Sequence, residues 1–319
     1  MQKQTISVVT PTFFRPEETI EMLENLSKQK LLPDEVVLVD GAPPEENRTE
    51  EAVKKVLHSF PFAINYIREG GGTAIQRNFG IDAAKSDFIA FVDDDVRLDS
   101  DFLFKMVEIF NNDTQKKVGG IVGYRKNKYF YTEESQRWRW YKKLNLLTTY
   151  EPGRYDFKSG YPINTSMQKP FEGTRQVDFM TTACAVWRRE VFDSGLRFHP
   201  FFIDYGVLED AHLSLLAKRK WDLLQCGDAL CEEMSSPNGR VNRRKIGYKC
   251  VVNYYFVFKD IASPLSLSQK FRFWRFQMFE FFRIGSSAVR RKKWDNIQEV
   301  IGKIEGVIAI MRGISDVKK

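Results

Sequence analysis

The sequence predicts an α/β protein with a mostly parallel sheet flanked by helices, followed by a helical C-terminal extension. Short, nearly continuous apolar runs alternate with helix-like segments over the first hundred residues, which is typical of parallel strands covered on both faces. From about residue 238 the pattern is helical, aromatic and basic. The chain has 319 residues, 43% of them hydrophobic, which is enough for one large domain with an appendage.

The elements are predicted from where these runs begin and end. Pro16 suits the first turn of a helix, and Pro, Gly or Asp residues follow most of the apolar runs. The predicted strands are residues 6–10, 36–40, 64–67, 88–92, 119–123 and 177–187. The predicted helices are residues 16–29, 50–58, 73–84, 103–110 and 209–221. Residues 126–169 have an irregular, aromatic and basic pattern, which is typical of a binding loop or lid.

Conspicuous polar and glycine-rich clusters follow the predicted strands. In open parallel sheets, ligands bind beyond the carboxyl ends of the strands. The clusters at those ends are Thr10-Pro11-Thr12, Asp40-Gly41, Gly70-Gly71-Gly72 and Asp93-Asp94-Asp95. Their shared position predicts a ligand site at one edge of the sheet.

The acidic triplet Asp93-Asp94-Asp95 is the most informative of these clusters. On an extended chain, residues two apart face the same way, so Asp93 and Asp95 are expected to point together, about 6–7 Å apart. One could meet a ribose hydroxyl while the other holds a hard divalent cation such as Mg²⁺ or Mn²⁺. The alternative is a solvated acidic turn that caps the next helix.

The glycine triplet opens a predicted helix that carries Arg77 in its first turns. Glycines let the backbone approach a ligand closely, and a helix N-terminus favours anions. Arg77 could therefore reach a pyrophosphate. The spacing matches neither a Walker A loop nor a GxGxxG motif, and an ordinary glycine turn is the alternative.

Glu209-Asp210 opens a later helix and could provide a general base for an acceptor hydroxyl. Acidic residues are also favoured in the first turn of any helix, so a capping role is the alternative. His199 and His212 could be ligands, but packed or surface roles are the more ordinary interpretation. The four cysteines match no zinc framework and are interpreted as reduced, mostly buried thiols.

The formal net charge of +7 indicates an anionic partner or a solvated basic face. In residues 268–284, Phe271, Trp274, Met278 and Phe281 follow helical spacing, and Arg and Lys residues lie beside them. Such a helix could lie on an anionic membrane or pack on the catalytic domain through its aromatic face. The first residues show no signal-peptide pattern, and no apolar run approaches the about 18 residues that would span a bilayer. A cytoplasmic protein is expected, with the inner face of the membrane as a candidate surface.

Taken together, these segments resemble family 2 glycosyltransferases of the GT-A fold. Six segments occur in the family's order between about residues 5 and 240: VVTPTFFRP (8–16), VLVDG (37–41), RNFGIDAA (77–84), FVDDD (91–95), AVWRREVF (185–192) and Glu209-Asp210. The resemblance implies a GT-A catalytic domain over residues 1–240. Its nucleotide-binding half would be residues 1–100 and its acceptor half residues 101–240, with the extension over 241–319.

The resemblance also implies a reaction, an inverting single displacement of sugar from a nucleotide diphosphate to an acceptor hydroxyl. The catalytic base would be Asp210, aided by Glu209, and the metal-binding acid of the DXD motif would be Asp95. The donor-binding residues would be Thr10, Pro11, Thr12, Arg15, Asp40, Arg77, Asp93, Asp94 and Thr182. A UDP-sugar is the first expectation for the donor, with GDP- and dTDP-sugars as alternatives, and the cofactor would be Mn²⁺ or Mg²⁺. The acceptor would be a saccharide or a lipid-linked molecule of surface polysaccharide or glycolipid synthesis.

Two departures from the family pattern stand out. Many relatives carry a metal-binding histidine after the last core strand, whereas residues 231–240 here read CEEMSSPNGR, and Glu233 is the candidate replacement. The segment Asp40-Gly41-Ala42-Pro43-Pro44 stands where an acidic pair and a serine are more usual. A nucleotidyltransferase of similar topology and a non-catalytic membrane-surface adaptor remain alternatives. No nucleic-acid partner is expected, because residues 1–240 contain no nucleic-acid-binding motif of known type.

Overall fold

The structure is a computed structural model that describes residues 4–129, 135–234, 242–291 and 294–313. Residues 235–240, which hold most of the CEEMSSPNGR segment, and Lys292-Lys293 lie outside the described ranges. The strands are β1 (Ile6–Thr12), β2 (Glu35–Asp40), β3 (Ala63–Arg68), β4 (Phe88–Val92), β5 (Val96–Leu98), β6 (Val118–Arg125), β7 (Tyr155–Asp156), β8 (Tyr161–Pro162), β9 (Thr174–Gln176), β10 (Cys184–Arg188) and β11 (Asp222–Glu233). The helices are α1 (Pro16–Leu26), α2 (Arg48–Val56), α3 (Thr73–Ala83), α4 (Phe102–Asn112), α5 (Gln136–Lys143), α6 (Arg189–Asp193), α7 (Glu209–Ala217), α8 (Arg243–Ala262), α9 (Leu267–Arg291) and α10 (Trp294–Met311).

The central sheet has the strand order β3-β2-β1-β4-β10-β6-β11-β5, and β9 pairs with β11. The first four strands are parallel, whereas β10 runs antiparallel to both of its neighbours, β4 and β6. This architecture confirms the predicted α/β fold with a mostly parallel sheet and helical C-terminal part. The carboxyl ends of β1, β2 and β4 therefore meet at one edge, and the register sets Thr12 beside Asp40 there.

Helix α3 packs directly on the sheet because a glycine faces it. A Cβ at Gly80 would lie 2.2 Å from Cγ1 of Val9, which is fully buried in β1. The absent side chain lets the helix approach the strand closely, so the residues at the start of α3 reach the edge of the sheet.

Two predictions about the middle of the chain are wrong. Residues 126–169 were expected to be irregular, but the described part contains α5, the β7–β8 hairpin and a 3₁₀ turn at Thr165–Met167. The strand expected at residues 177–187 begins only at Cys184. The preceding residues form a loop instead. The Val177 N–H still donates to the Leu223 carbonyl of β11 at 2.9 Å, whereas the Met180 N–H donates to Ser214 Oγ of α7 at 3.1 Å.

The chain divides into two compact units. Unit 1 contains the sheet and comprises the described residues up to 129 and from 165 to 234. Unit 2 comprises residues 135–164 together with α8, α9 and α10, so the central part of the segment predicted to be a loop belongs with the C-terminal helices. Within the described ranges, no helix is both long enough and apolar enough to cross a membrane.

Candidate active site

Asp40 lies at the end of β2 and is fully buried. Its carboxylate accepts hydrogen bonds from the Ala42 N–H at 2.9 Å and from the Tyr66 hydroxyl. Burial, reinforced by Asp40, raises the pKa of Tyr66, so this phenol stays a donor. Thr10 is also fully buried in β1. These two predicted donor-binding residues are therefore part of the protein interior near the carboxyl ends of β1 and β2.

Gln76 joins the ends of β1 and β2, and sequence reasoning gave it no role. Its side-chain amide donates to the carbonyls of Thr12, at 2.9 Å, and Val39, at 2.7 Å. The residue is buried on α3, one position before Arg77. The position of Gln76, shortly after the glycine triplet, was the only hint in the sequence that it has a role. Its hydrogen-bond partners could not be predicted, because they are 64 and 37 residues away along the chain.

The acidic triplet forms a turn, so the expectation of an extended chain is wrong. The Val96 N–H donates to the Asp93 carbonyl at 3.0 Å and closes the turn immediately after β4. Asp94 consequently points into the protein, where it accepts from Thr12 Oγ1 at 2.9 Å and pairs with Arg15 at 2.6 Å. Burial outweighs these two partners and raises the pKa of Asp94 to about 7. Asp95 lies 3.5 Å from the same Arg15 guanidinium.

Arg77 connects the acidic triplet with the start of α7. Its guanidinium contacts Asp93 at 3.0 Å and Glu209 at 3.2 Å, and the side chain is almost fully buried. Although burial alone would lower the pKa of Arg77, the two carboxylates raise it, so the cation is retained. Its Nε is buried and makes no hydrogen bond within the described part of the chain. The acidic triplet and the Glu209-Asp210 pair, which the sequence shows as separate clusters, are thus joined through Arg77 into one ion-paired group.

The glycine triplet receives the loop that leads into α7. Thr73 N–H donates to the Asp204 carbonyl at 3.0 Å, and Asp204 N–H donates to the Gly71 carbonyl at 3.2 Å. Gly72 has φ +106°, and a Cβ there would lie 2.1 Å from the Asp204 carbonyl oxygen. The close approach that the sequence predicted for a ligand is therefore made, in part, by the protein's own backbone.

Asp210 lies half-buried in the first turn of α7. Burial and the neighbouring Glu209 raise its pKa to about 7, while Arg77 and Arg125 oppose this rise. A carboxylate with this pKa can accept a proton near neutral pH and release it again. Strongly perturbed carboxyl groups of this kind are concentrated at functional sites.

Tyr205 is a further site residue that sequence reasoning missed. The residue is about half exposed, and its pKa is raised to about 12 by partial burial, then by Glu209, Asp93 and Asp210. The phenol therefore lies in the field of the same carboxylates that surround Arg77. No local pattern marked it, because the loop reaches the site only through its pairing with the glycine triplet.

Glu233, the candidate metal ligand, carries ion pairs in this structure. Its two carboxylate oxygens contact Arg125 at 2.7 Å and Lys128 at 3.1 Å. Although burial would raise the pKa of Glu233, these cations lower it. Across the described residues, no group of three or more His, Cys, Asp or Glu side chains is arranged to hold a metal ion.

Thr182 lies buried in the loop that precedes β10. This loop connects the triplet to α7, since the Asp93 N–H donates to the Ala183 carbonyl at 3.2 Å and Met180 bonds Ser214. The neighbouring Thr181 Oγ1 is buried and has no hydrogen-bond partner among the residues described. His199 and His212 pack edge to face 5.7 Å apart, consistent with the packed role expected for them.

A sequence profile described as glycosyl transferase family 2 matches residues 7–196, more than half of the chain. The chain belongs to this family. It is 28% identical over 152 residues to YwdF of Bacillus subtilis (strain 168), an uncharacterized glycosyltransferase. That alignment covers 46% of this chain and 55% of YwdF, so the chain spans about half the length of this relative.

Solved glycosyltransferases share the fold at low sequence identity. The mannosyltransferase PcManGT from Pyrobaculum calidifontis, in complex with GDP-Man and Mn²⁺, is 15% identical with a TM-score of 0.59, and the match covers 96% of this chain and 88% of PcManGT. S. aureus TarS 1–349, in complex with UDP-GlcNAc, is 14% identical with a TM-score of 0.50, covering 97% of this chain and 92% of TarS 1–349. Both comparisons support the GT-A architecture described above.

Proposed function

We propose that this family 2 protein transfers a sugar, with inversion, from a nucleotide-diphosphate sugar to an acceptor hydroxyl. The observation that carries the proposal is the ion-paired group in which Arg77 joins Asp93 to Glu209, directly beside Asp210. Donor-side and acceptor-side residues are thereby held in one arrangement. A single displacement needs both sides positioned together, because the attacking and leaving oxygens lie on opposite faces of the anomeric carbon.

Asp210 acts as the general base in this proposal. It takes the proton from the acceptor hydroxyl as the new bond to the anomeric carbon forms and the bond to the diphosphate oxygen breaks. Its raised pKa, about 7, makes it a stronger base than an ordinary aspartate while leaving it largely ionised above neutral pH. Glu209 is a positioning residue, since it raises that pKa and anchors Arg77.

Mn²⁺ or Mg²⁺ fits the carboxylate oxygens of this edge, because these hard ions take one or two carboxylates together with substrate phosphates. Asp95 would hold the ion, which when bound neutralises charge on the departing diphosphate. Glu233 fits this role less well, since both its oxygens already meet cations. Arg15 and Arg77 supply fixed positive charge at the same edge.

GDP-sugars and UDP-sugars are both candidate donors, because the two similar structures were solved with GDP-Man and with UDP-GlcNAc. The acceptor is proposed to be a saccharide or lipid-linked hydroxyl of surface polysaccharide or glycolipid synthesis at the cytoplasmic side of a membrane. A nucleotidyltransferase is disfavoured by the family match and by the segment after β1, where α1 begins at Pro16 without a glycine-rich loop.

The test is a thermal-shift panel of UDP, GDP, dTDP and CMP, each with and without Mn²⁺. A ligand that binds only the folded protein raises apparent stability by mass action, so one diphosphate should raise the melting temperature only with metal. Asp95→Asn should abolish the rise in melting temperature that depends on metal. The control Asp82→Asn, which alters a surface ion pair with Arg197 at the far end of α3, should keep it. Absence of any nucleotide effect in the wild type would contradict the transferase and favour a non-catalytic adaptor.

A further inference from the structure

Helix α9 exposes an apolar stripe from Leu267 to Phe282 and, beyond Gly285 and Ser286, at Val289. Its members are between 57% and 84% exposed, and they are Leu267, Phe271, Met278, Phe282 and Val289. The intervals of four, seven, four and seven residues place all five on one face of the helix, with the half-buried Trp274 between Phe271 and Met278. Large apolar side chains gathered in one exposed stripe usually mark an interaction surface.

The opposite face of α9 anchors it within unit 2. Phe273 stacks on Phe258 with ring centroids 5.7 Å apart, and Phe276 lies 4.4 Å from Tyr161. Further along this face, Glu280 and Ile284 are buried. Because the anchoring contacts use this second face, the stripe is not needed to hold the helix in place.

The charge on α9 is almost entirely positive. The helix contains one carboxylate, Glu280, which is buried and paired with Arg137 and Arg283 at 3.1 and 2.8 Å. Its cations are Lys270, Arg272, Arg275, Arg283, Arg290 and Arg291. In helical spacing, Lys270 and Arg275 flank the apolar stripe on its two sides. Lys270 is exposed, whereas the half-buried Arg275 also donates to the Asn145 carbonyl. An occupant of this surface is therefore expected to be both apolar and anionic.

Helix α10 provides an internal contrast. It exposes an apolar stripe of its own, which includes Trp294, Ile304 and Ile308. Between residues 294 and 311, however, it carries three carboxylates and only one lysine. Apolar exposure is thus common to both helices, whereas the combination with positive charge belongs to α9.

We propose that α9 docks the protein on an anionic lipid bilayer, with its stripe inserted at the headgroup level and its flanking cations against lipid phosphates. Aromatic and basic amphipathic helices bind such interfaces through buried apolar area and attraction to anionic lipids. A second copy of the chain is a poorer occupant, because pairing two α9 helices would bring like charges together. The docking concerns unit 2 alone and does not depend on the sugar-transfer proposal.

The test is co-sedimentation of the full chain with vesicles of phosphatidylglycerol and phosphatidylcholine, compared with vesicles of phosphatidylcholine alone. Wild type should bind the anionic vesicles and lose binding as salt rises. Phe271→Ser combined with Phe282→Ser should lower the partition coefficient at least about tenfold, since two large side chains no longer insert. The matched control Ile304→Ser with Ile308→Ser on α10 should bind as wild type. Circular dichroism melting of each variant checks the fold.

Three results would overturn the proposal. Wild type that stays in solution with anionic vesicles excludes lipid docking. Equal loss of binding in the α9 and α10 variants would show that general apolar exposure, and not the α9 surface, drives it. A wild-type dimer in analytical ultracentrifugation that dissociates in the α9 variant, without vesicle binding, would assign the stripe to a second copy. Asp95→Asn should bind vesicles normally, so failure of sugar transfer and failure of docking remain distinguishable.

Discussion

The two units contain carboxyl groups with opposite properties. In unit 1, burial and the like charge of Glu209 raise the pKa of Asp210 to about 7. In unit 2, burial opposes ionisation of Glu280 as well, but Arg283, Arg137 and Tyr141 lower its pKa to about 2. Burial alone therefore does not decide the state of a carboxyl group; the charge of its neighbours does. Asp210 can exchange a proton near neutral pH, whereas Glu280 stays ionised there within its ion pairs.

The same contrast extends to the total charge of each unit. Residues 1–130 and 165–239 contain 25 Lys and Arg against 32 Asp and Glu, whereas residues 131–164 and 240–319 contain 24 against 10. The net charge of +7 thus conceals an acidic unit and a strongly basic one. Acidic residues predominate in the unit that contains the candidate site, and basic residues predominate in the unit that contains α9, so the two proposals, sugar transfer and binding to an anionic surface, concern different units.

The largest effect is expected from Asp210→Asn. The amide cannot accept the proton, so transfer should fall by about 10²–10⁴-fold, the usual contribution of a general base. The nucleotide-dependent thermal shift should remain, because Asp210 is proposed to contact the acceptor and not the nucleotide. Initial rates of sugar transfer and thermal shifts on the same preparation check both. Transfer at the wild-type rate would remove Asp210 from the base role.

Glu280→Gln should destabilise unit 2 and leave the donor site intact. Removing the carboxylate leaves the guanidinium groups of Arg137 and Arg283 without their partner. The free energy of unfolding should drop by roughly 2–3 kcal/mol, less than for a fully buried pair because both arginines are partly exposed. Urea unfolding measures this loss.

Glu305→Gln, which breaks a surface pair with Arg244, is the matched control and should change stability little. Equal effects of the two substitutions would show that the Glu280 network is no more than a surface pair.

Gly72→Ala should reduce transfer about tenfold, because the new Cβ would displace the Asp204 loop that leads to Glu209 and Tyr205, and misplaced groups lose rate steeply. Gly70→Ala is the control. Its Cβ would meet only the Gly41 carbonyl oxygen, at an ordinary 3.6 Å, so activity should be retained. A Gly72→Ala enzyme as active as Gly70→Ala would mean that the loop does not position the site.

Local patterns were sufficient to predict the elements that lead to the site. The fourth strand was predicted at residues 88–92 and is found at Phe88–Val92, and the helix after the glycines was predicted to begin at Thr73, as it does. Apolar periodicity and breaker residues act over a few positions, so they can be seen in one sequence. The rule that ligands bind beyond parallel strand ends then gathered the polar clusters at one edge.

Long-range partners could not be predicted in this way. Arg77 meets Glu209, which lies 132 residues further along, and nothing near either residue signals the pair. Asp94 turns inward because a backbone hydrogen bond closes a turn at the triplet, which the two-residue periodicity of an extended chain does not anticipate. The sequence predicts that the segment of α9 is an aromatic and basic helix. Only the packing of the folded chain shows which of its two apolar faces is buried and which is exposed.

The smallest effect tests how Glu209 tunes Asp210. Because Asp210 must be ionised to act as the base, kcat/KM should rise with pH and level off above about 7, following the raised pKa. Glu209→Gln removes a like charge and frees Arg77 from one of its two carboxylates, and both changes lower the pKa of Asp210. The rising part of the pH profile, its acid limb, should therefore move to lower pH. At pH 6, kcat/KM expressed as a fraction of its plateau value should then be about two- to threefold higher than in the wild type.

Glu232→Gln, at an exposed position of β11, is the control and should leave the acid limb unmoved. A limb that stays in place in Glu209→Gln, or moves to higher pH, would mean that a group other than Asp210 titrates, and the contrast between Asp210 and Glu280 would then have no bearing on catalysis.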